Sequence, residues 1–394
     1  MSEMIGKKRK EALKEILHRL HAGESPQRLK GAFRDAVGNV SPQEIAQIEE
    51  ELVREGLPRE ELMKLCDLHL ALFEESLAGA ELSTPPWHPL HILMAEHREM
   101  LALANRLASR VREAATSPQV QAEVEDLVKH LVASESHYLR EENVLFPYLE
   151  RHGIVEPPKV MWNEHDRIRE LKKAVVKGAP AGKDLAEAAI ALSEMLASHF
   201  LKENRILFPT GLRVIPEGEW PEIRRQFDEI GYCCFTPAAP PPPEAPGAPA
   251  PAAPPASSSE FRLRFPTGEF TPQELEAVLN TLPVDITFVD RDDTVRYFSG
   301  SQDRIFVRTP AVLGRKVQDC HPQKSVHVVE KIVADFKAGR RNVAEFWINF
   351  GGRFVYIRYF PVRGSGGEYL GTVEVTQDIG PIQKISGERR LLDD

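Results

Sequence analysis

Histidine and glutamate recur along this chain at spacings that suit metal binding. The segment 96–209 consists of two similar halves, and each half carries a Glu-His pair, then His-x-x-x-Glu, then a closing Leu-Phe-Pro. The first half contains Glu96-His97, His137 and Glu141, and the second half contains Glu164-His165, His199 and Glu203. Equivalent positions lie 62 to 68 residues apart. An internal repeat of this length predicts two helical hairpins packed against each other.

The spacing within each His-x-x-x-Glu motif indicates the chemistry. Residues four positions apart project from one face of a helix, so His137 and Glu141 would point the same way. Two such helices, with two more that each present one histidine, would bring four imidazoles and two carboxylates into a four-helix bundle. This is the ligand set of a two-metal carboxylate site. Nitrogen and oxygen ligands without thiolate favour iron or manganese, and zinc less specifically.

Ordinary packing is the alternative interpretation. A single histidine on an apolar helix is more often a core or surface residue than a ligand. Repetition of the whole pattern argues against packing, because burying these groups without a cation would carry a large desolvation cost. His91 lies six residues before His97, about 240° around a helix, and is the substitute if His97 is not a ligand. His130 lies two turns before His137, about 10 Å away, which favours a packed histidine.

These motifs resemble the haemerythrin-like cation-binding (HHE) family, in which a four-helix bundle holds a non-haem di-iron centre. The resemblance implies six metal ligands: His97, His137, Glu141, His165, His199 and Glu203. Oxygen-carrying haemerythrins use a fifth histidine and an aspartate in place of this symmetric set. The pattern is more similar to di-iron proteins implicated in iron–sulfur cluster repair and nitric oxide chemistry. Redox and gas-sensing roles therefore stay open.

Composition and periodicity predict a multidomain chain of 394 residues. We expect a small all-α domain at 1–82, a four-helix up-down bundle at 83–235, a semi-rigid Pro/Ala-rich linker at 236–260 and an α+β domain at 261–394. The first segment resembles a family of unknown function that commonly precedes haemerythrin-like domains, over Ser41–Gly56 and Leu65–Phe73. Within it, Cys66 and His69 could bind metal, although a buried cysteine beside a core histidine is the favoured interpretation.

Turn and capping signals set the expected helices of the bundle. We predict one helix that ends near Val111 and others from Pro118 to about Glu150, from Val160 to Lys177 and from Lys183 to Leu207. Trp220 to Phe235 should form a final helix and tail that close the bundle. Pro157-Pro158 should separate the two halves. The aromatic residues expected to line the core are Phe146, Tyr148, Trp162, Phe200 and Phe208. Tyr138 and Tyr148 could also act near the metals, with packing as the default, and Cys233-Cys234 reads as a pair of packed thiols.

The last segment changes to strand periodicity. A capping box at Thr271 opens a helix to Asn280, two strands follow at 284–289 and 294–298, a helix at 326–337, and three strands at 344–350, 353–361 and 369–377. This order resembles a PAS domain, a sensory module whose pocket can hold haem, flavin or a small molecule. Cys320, His321 and His327 are the candidate haem ligands, against an empty pocket or a protein contact as the favoured alternative. A homodimer through this domain is a further expectation.

Charge and cysteine usage restrict the functional class. The formal net charge of −9 argues against general nucleic-acid binding. Four scattered cysteines, no apolar leader and no 18-residue apolar run predict a cytoplasmic protein without a membrane span.

Three functions fit the sequence. The first is a sensor of O₂, NO or redox state that signals through the PAS domain to an unidentified protein partner, since no output domain is expected after Asp394. The second is a di-iron enzyme or repair protein for nitrosative or oxidative stress, acting on iron–sulfur clusters, NO or peroxide. The third is a metal-stabilised scaffold. The PAS resemblance favours the sensor, by fold-level analogy.

Overall fold

The computed structural model describes residues 82–242, except 112, 115, 116 and 179–182, and residues 261–388, except 302 and 303; four isolated residues nearer the N-terminus are also described. The predicted helical domain, with Cys66 and His69, otherwise lies outside these residues. The chain divides into two compact units, 1–245 and 246–394. None of the described helices is both long enough and apolar enough to cross a membrane.

The described part of the first unit is helical. Its α-helices are α1 (Pro89–Arg110), α2 (Pro118–Val132), α3 (Glu135–Arg140), α4 (Phe146–Arg151), α5 (Glu156–Gly178), α6 (Lys183–Lys202), α7 (Phe208–Val214) and α8 (Trp220–Ile230). Two π-helical turns, π1 (Glu141–Leu145) and π2 (Glu203–Leu207), join α3 to α4 and α6 to α7. The four arms of the bundle are therefore α1, α2–α4, α5 and α6–α7. Helices α1, α2, α5 and α6 pack against one another in a closed ring.

Local sequence explains where these helices begin. The Ser117 hydroxyl accepts from the amide of Val120, and Pro118 occupies the first turn, where its missing N–H costs nothing. Pro157 and Pro158 similarly fall in the first turn of α5. The sequence predicted that these prolines separate the two halves and that the helix begins after them, at Val160. The helix in fact begins one turn earlier, because proline is tolerated at a helix start.

The predicted continuous helix from Pro118 to Glu150 is wrong in two places. It breaks at Ser134, whose hydroxyl donates to the carbonyl of Leu131 at 2.7 Å and competes with the backbone ladder. It then widens at π1, where the amide of Phe146 donates to the carbonyl of Glu141, five residues earlier. Pro147 explains the widening, because a proline inside a helix lacks the N–H and crowds the carbonyl four residues back.

The same device recurs in the second half. At π2 the amide of Phe208 donates to the carbonyl of Glu203, directly before Pro209. Helix α7 continues to Val214, beyond the predicted end at Leu207. The final helix ends at Ile230, because Gly231 adopts φ +86°, a left-handed conformation that ends helices, and the residues up to Phe235 form the expected tail. At both Leu-Phe-Pro motifs the helix therefore changes from α-helical to π-helical hydrogen bonding at a candidate ligand. π turns of this kind are frequent at functional sites.

A cluster of buried apolar side chains fills the bundle away from the histidines. It includes Leu107 of α1, Leu127 of α2, Ile168 of α5 and Leu192 of α6. Of the aromatic residues predicted to line the core, four are buried (Phe146, Tyr148, Phe200 and Phe208) and Trp162 is only partly buried.

The second unit contains a five-stranded antiparallel sheet. Its strands are β3 (Asp285–Asp290), β4 (Val295–Phe298), β5 (Ala344–Phe350), β6 (Arg353–Arg363) and β7 (Tyr369–Asp378), in the order β4-β3-β7-β6-β5. Helix α9 (Pro272–Thr281) precedes the sheet and opens on the predicted capping box at Thr271. Helix α10 (Gln323–Lys337) connects the two groups of strands. The predicted element order is confirmed. A short hairpin of β1 (Leu263–Phe265) and β2 (Gly268–Phe270) was not predicted.

Candidate metal centre

The structure brings all six sequence-predicted side chains together. His97 comes from α1, His137 and Glu141 from the α3–π1 junction, His165 from α5, and His199 and Glu203 from the α6–π2 junction. All six are buried, none more than 2% exposed. They form two groups of four residues, and Glu141 and Glu203 belong to both groups. One group adds His97 and His137, and the other adds His165 and His199.

Within each group the candidate ligand atoms lie within 4.8 Å of one another. The His97 Nε2 atom lies 3.2 Å from Glu203 Oε2, and the His199 Nε2 atom lies 3.2 Å from Glu203 Oε1. The His165 Nε2 atom lies 3.3 Å from Glu141 Oε2. Glu141 Oε2 also lies 3.6 Å from His137 Nε2, so each glutamate faces imidazoles of both groups.

The inward atoms of these side chains lack hydrogen-bond partners among the described residues. They are the Nε2 atoms of His97, His137, His165 and His199, and both carboxylate oxygens of Glu141 and of Glu203. Buried polar atoms are nearly always paired, so eight unpaired atoms converging on one point need an explanation. Cations between them would satisfy all eight, and the donor set of imidazole and carboxylate suits iron.

Within each half, the glutamate of the Glu-His pair orients the histidine of the following motif. Glu96 accepts from the Nδ1 atom of His137 at 2.6 Å, and Glu164 accepts from the Nδ1 atom of His199 at 2.8 Å. A proton held on Nδ1 leaves the Nε2 lone pair facing the centre, which is the arrangement of metal-bound histidines. These two glutamates are functional residues for which sequence reasoning found no role, although their repetition was visible.

The two halves also support each other's histidines. His165 donates from Nδ1 to Glu142 at 2.8 Å, and His97 donates from Nδ1 to Asn204 at 3.1 Å. Each partner directly follows the glutamate of the opposite half's His-x-x-x-Glu motif. The Leu-Phe-Pro phenylalanines cross over in the same way: Phe208 stacks on His97 with ring centroids 5.5 Å apart, and Phe146 on His165 at 5.7 Å.

Three outer carboxylates are neutralised by basic side chains. Arg140 donates to Glu96 at 2.5 and 2.6 Å, and Lys202 donates to Glu164 at 2.6 Å. Arg169 donates to both oxygens of Glu142, at 2.8 and 3.0 Å. Neither Glu141 nor Glu203 contacts a lysine or arginine in the described residues. The two central carboxylates therefore have no lysine or arginine counter-ion. In the metal-free protein, although burial opposes it, the neighbouring carboxylates raise the pKa of His165 well above its usual range and that of His199 to about 9, so these rings carry the positive charge that bound cations would replace.

Protonation of the site reflects this imbalance. Burial, assisted by repulsion from Glu203, raises the pKa of Glu141 to about 8. Burial opposes ionisation of Glu203, but the His199, His165 and His97 rings outweigh it and hold the pKa of Glu203 well below its usual range. Burial lowers the pKa of His137 to about 3. The metal-free centre therefore holds protons where cations would lie, and cation binding must displace them.

Tyr138 lies directly beside the centre. Its ring contacts His165 at 4.8 Å and His137 at 5.1 Å between centroids, and the Lys172 ammonium lies 4.3 Å from its face. The Tyr138 hydroxyl is buried and has no hydrogen-bond partner in the described residues. Burial raises the pKa of Tyr138 well above its usual range, so the hydroxyl keeps its proton.

The other singled-out residues lie outside the two groups. His91 bonds through Nδ1 to the carbonyl of Thr84 at 3.1 Å. His130 bonds to the carbonyl of Asp126 at 2.8 Å, and its side chain is 39% exposed, so the expected packing of this histidine is wrong. Cys233 is buried as predicted, whereas Cys234 is exposed. In the second unit His321 bonds through Nδ1 to the carbonyl of Val317 at 2.7 Å.

Comparison with protein families agrees with this geometry. Residues 88–210 match the Hemerythrin HHE cation binding domain, residues 275–380 match a PAS domain family, and residues 13–79 match a family of unknown function, DUF438. Comparison with curated proteins gives no match.

Several solved structures are similar to parts of the chain. The C-terminal domain of a Streptococcus mutans protein is 33% identical, and the match covers 33% of this chain and 100% of that one with a TM-score of 0.31. The PAS domain of Bordetella pertussis BvgS is 21% identical, with coverage of 27% and 85% and a TM-score of 0.23. A sensory box sensor histidine kinase from Vibrio cholerae is 12% identical, with coverage of 26% and 87% and a TM-score of 0.22.

The bundle and its buried histidine–glutamate cluster define a cation-binding helical protein that also carries a sensory module. Residues 88–210 of the chain match the haemerythrin HHE cation binding domain, with a DUF438 match before this segment and a PAS match after it.

Proposed function

We propose that the bundle holds a pair of non-haem iron ions and that the chain is a cytoplasmic sensor of O₂, NO or redox state. The observation that carries the proposal is the convergence of eight unpaired, buried ligand atoms in two groups that share Glu141 and Glu203. One ion would be held by His97 and His137 and the other by His165 and His199, with both glutamates common to the pair.

The ligand set supports iron over the alternatives. Neither group contains a cysteine, so the thiolate ligands that typify structural zinc sites are missing from these groups. Each cation would be held by two imidazoles and by the two carboxylates common to both groups, a ligand set that suits iron. When bound, an iron pair supplies reversible electron transfer and a position for O₂ or NO. Manganese fits the same atoms, and zinc fits them less specifically.

The chain's own residues prepare this centre. The outer glutamates fix the Nδ1 tautomers of His137 and His199, so that no ring has to rotate when a cation enters. Phe200 stacks on His97 with ring centroids 4.1 Å apart and helps to exclude bulk water from the centre. Because the site is buried, a small uncharged gas suits it better than a large substrate.

The PAS domain supports a signalling role over a purely catalytic one. We propose that a change at the iron pair is passed to the PAS domain and from there to a protein partner, with a PAS-mediated homodimer as the expected assembly. Haem in the PAS domain, with Cys320, His321 or His327 as its ligand, is not part of this proposal.

The test begins with metal analysis of the aerobically purified chain, followed by anaerobic reduction and titration with NO or O₂. A stoichiometric optical change without continuing consumption of the gas supports the sensor. Steady-state consumption of NO or peroxide identifies an enzyme instead. A zinc-filled site that responds to neither gas identifies a scaffold.

A further inference from the structure

The chain leaves the bundle through a segment that packs beside the metal centre. This segment, Gly231–Pro240, is called the tail below and follows α8. The Tyr232 ring lies 4.6 Å below the Arg140 guanidinium, and Phe235 packs against the apolar core of the bundle. In sequence, the tail leads into the Pro/Ala-rich segment that precedes the PAS domain.

Thr236 in the tail contacts the hydrogen-bond network of the centre directly. Its hydroxyl donates a short hydrogen bond to Glu96 Oε1. The other oxygen of the same carboxylate accepts from His137 Nδ1 at 2.6 Å. A continuous chain of hydrogen bonds therefore runs from Thr236 through Glu96 to a proposed metal ligand, although Thr236 and Glu96 are 140 residues apart in sequence.

Further contacts hold the tail on either side of Thr236. Arg224 of α8 donates to the carbonyls of Trp87 and Pro240, at 3.1 Å each, and to the hydroxyl of Tyr232 at 2.8 Å. The Cys233 sulfur lies 3.3 Å from the Ser136 hydroxyl, on the helix that carries His137. The tail is thus attached to α1, α3 and α8, and Thr236 is held in place by its neighbours.

The tail breaks the pseudo-symmetry of the two halves. Glu164, the counterpart of Glu96, accepts from His199 and Lys202, and no third side chain bonds it in the described residues. Glu96 accepts from His137, Arg140 and Thr236. Among the described residues, it is therefore Glu96, beside His137, and not Glu164 that bonds a side chain of the tail.

We propose that the tail is part of the metal centre and that Thr236 is a positioning residue, which fixes Glu96 and through it His137. The inference rests on the proposed function, because it presumes that His137 binds a cation. Loss of an outer hydrogen-bond partner typically weakens metal binding about 10- to 100-fold. Coupling between two equilibria is reciprocal, so a tail that tightens metal binding must itself be tightened by metal to the same degree.

The first test compares three full-length variants by anaerobic titration with ferrous iron against a chromophoric chelator. Thr236→Val removes the hydroxyl at nearly constant shape and should weaken one of the two iron equivalents about tenfold or more. Thr236→Ser keeps a hydroxyl and should bind within about twofold of wild type. Thr84→Val is the matched control, because the Thr84 hydroxyl is buried without a partner in the described residues, and it should leave both equivalents unchanged.

The second test measures amide hydrogen exchange of the tail in the wild-type chain, metal-free and iron-loaded. The Thr236 amide donates to the carbonyl of Cys233 at 3.0 Å, so its exchange reports whether the tail is docked. Iron should slow this exchange, because docking of the tail and iron binding stabilise each other. This readout needs no variant and no activity.

The outcomes separate the inference from the proposed function. The wild type could bind two iron equivalents while Thr236→Val binds iron equally well, or while iron leaves the exchange rate of the Thr236 amide unchanged. Either result would overturn the inference and leave the proposed function standing. Equal weakening by Thr236→Ser and Thr236→Val would also overturn it, because the hydroxyl would not be the responsible group. A wild-type chain that binds no iron would overturn both.

Discussion

We expect Glu141 to be needed for metal binding and to lower the stability of the metal-free fold. The metal-free protein buries this carboxyl without a lysine or arginine partner, and its pKa of about 8 compares with an ordinary value of 4.5. Between these values the folded state binds a proton that the unfolded state has released, so stability falls as pH rises from about 4.5 to about 8. A pH of 7 lies about 2.5 pH units above the ordinary pKa of 4.5. At about 1.4 kcal/mol per pH unit, the raised pKa of Glu141 therefore lowers the free energy of unfolding of the metal-free protein by about 3 kcal/mol at pH 7.

Glu141→Gln removes the titrating group and keeps its shape. We expect the metal-free variant to unfold in urea with a free energy up to about 3 kcal/mol higher than wild type at pH 7, and with little difference at pH 4.5. Unfolding is followed by helical circular dichroism in the presence of a chelator. The same variant should lose more than half of its bound metal, because Glu141 belongs to both ligand groups.

Glu142→Gln is the matched control for this experiment. Glu142 is the next residue and is equally buried, but its carboxylate accepts from Arg169 and His165. Removing its charge takes one counter-ion from Arg169, which is partly exposed and still pairs with Glu135 at 2.8 Å, and weakens the hydrogen bond to the buried His165, so we expect a loss of about 1–3 kcal/mol. The reasoning would be refuted if Glu141→Gln were no more stable than wild type at pH 7, or if both substitutions shifted stability in the same direction.

Four further predictions follow from the geometry. His137→Ala should lose about half of the bound metal and Glu203→Ala more than half, measured by elemental analysis, since His137 belongs to one group and Glu203 to both; full retention in either variant would contradict the assignment. Lys202→Met should destabilise the bundle by roughly 3–5 kcal/mol in urea unfolding, because it leaves Glu164 buried without its counter-ion; a neutral effect would show that the pair is not formed. Tyr138→Phe should change stability by less than about 1 kcal/mol, because the deleted hydroxyl has no partner; a larger loss would reveal one. Apparent metal affinity should rise between pH 6 and pH 8, as protons leave Glu141; a flat profile by chelator competition would contradict proton displacement.

Much of the site could be predicted because the spacing of residues along a helix fixes the direction in which their side chains project. His199 and Glu203, four residues apart, had to share a helix face, and the internal repeat supplied the second copy of the pattern. What spacing could not give was the packing between the halves. The contact of Asn204 with His97 joins residues 107 apart, and nothing local to either residue signals it.

Some missed features had a signal that was present in the repeat. A glutamate precedes both His97 and His165, and a basic residue follows each His-x-x-x-Glu histidine by three positions, at Arg140 and Lys202. These repeated pairs are the glutamate–cation pairs that orient His137 and His199. Thr236 had no such signal, because it lies outside the repeat and has no counterpart in the other half.

The strands of the second unit could be predicted where more buried and less buried residues alternate along them. Residues Asp285–Asp290 alternate strictly between buried and partly buried positions, and β5 covers the predicted range 344–350. The β1–β2 hairpin was missed because each strand has three residues and neither buries a side chain. Strands this short carry too few positions for a period to be read.

The central claim is that six side chains hold two iron ions. Its most direct test is the metal content of the wild-type chain after aerobic purification, measured by elemental analysis on a sample whose visible absorption is recorded. We expect about two iron atoms per chain, in line with the two ligand groups, and a near-ultraviolet to visible ligand-to-iron absorption without a haem Soret band. A chain with less than about a quarter of an equivalent of any transition metal, even after anaerobic incubation with ferrous iron, would contradict the claim.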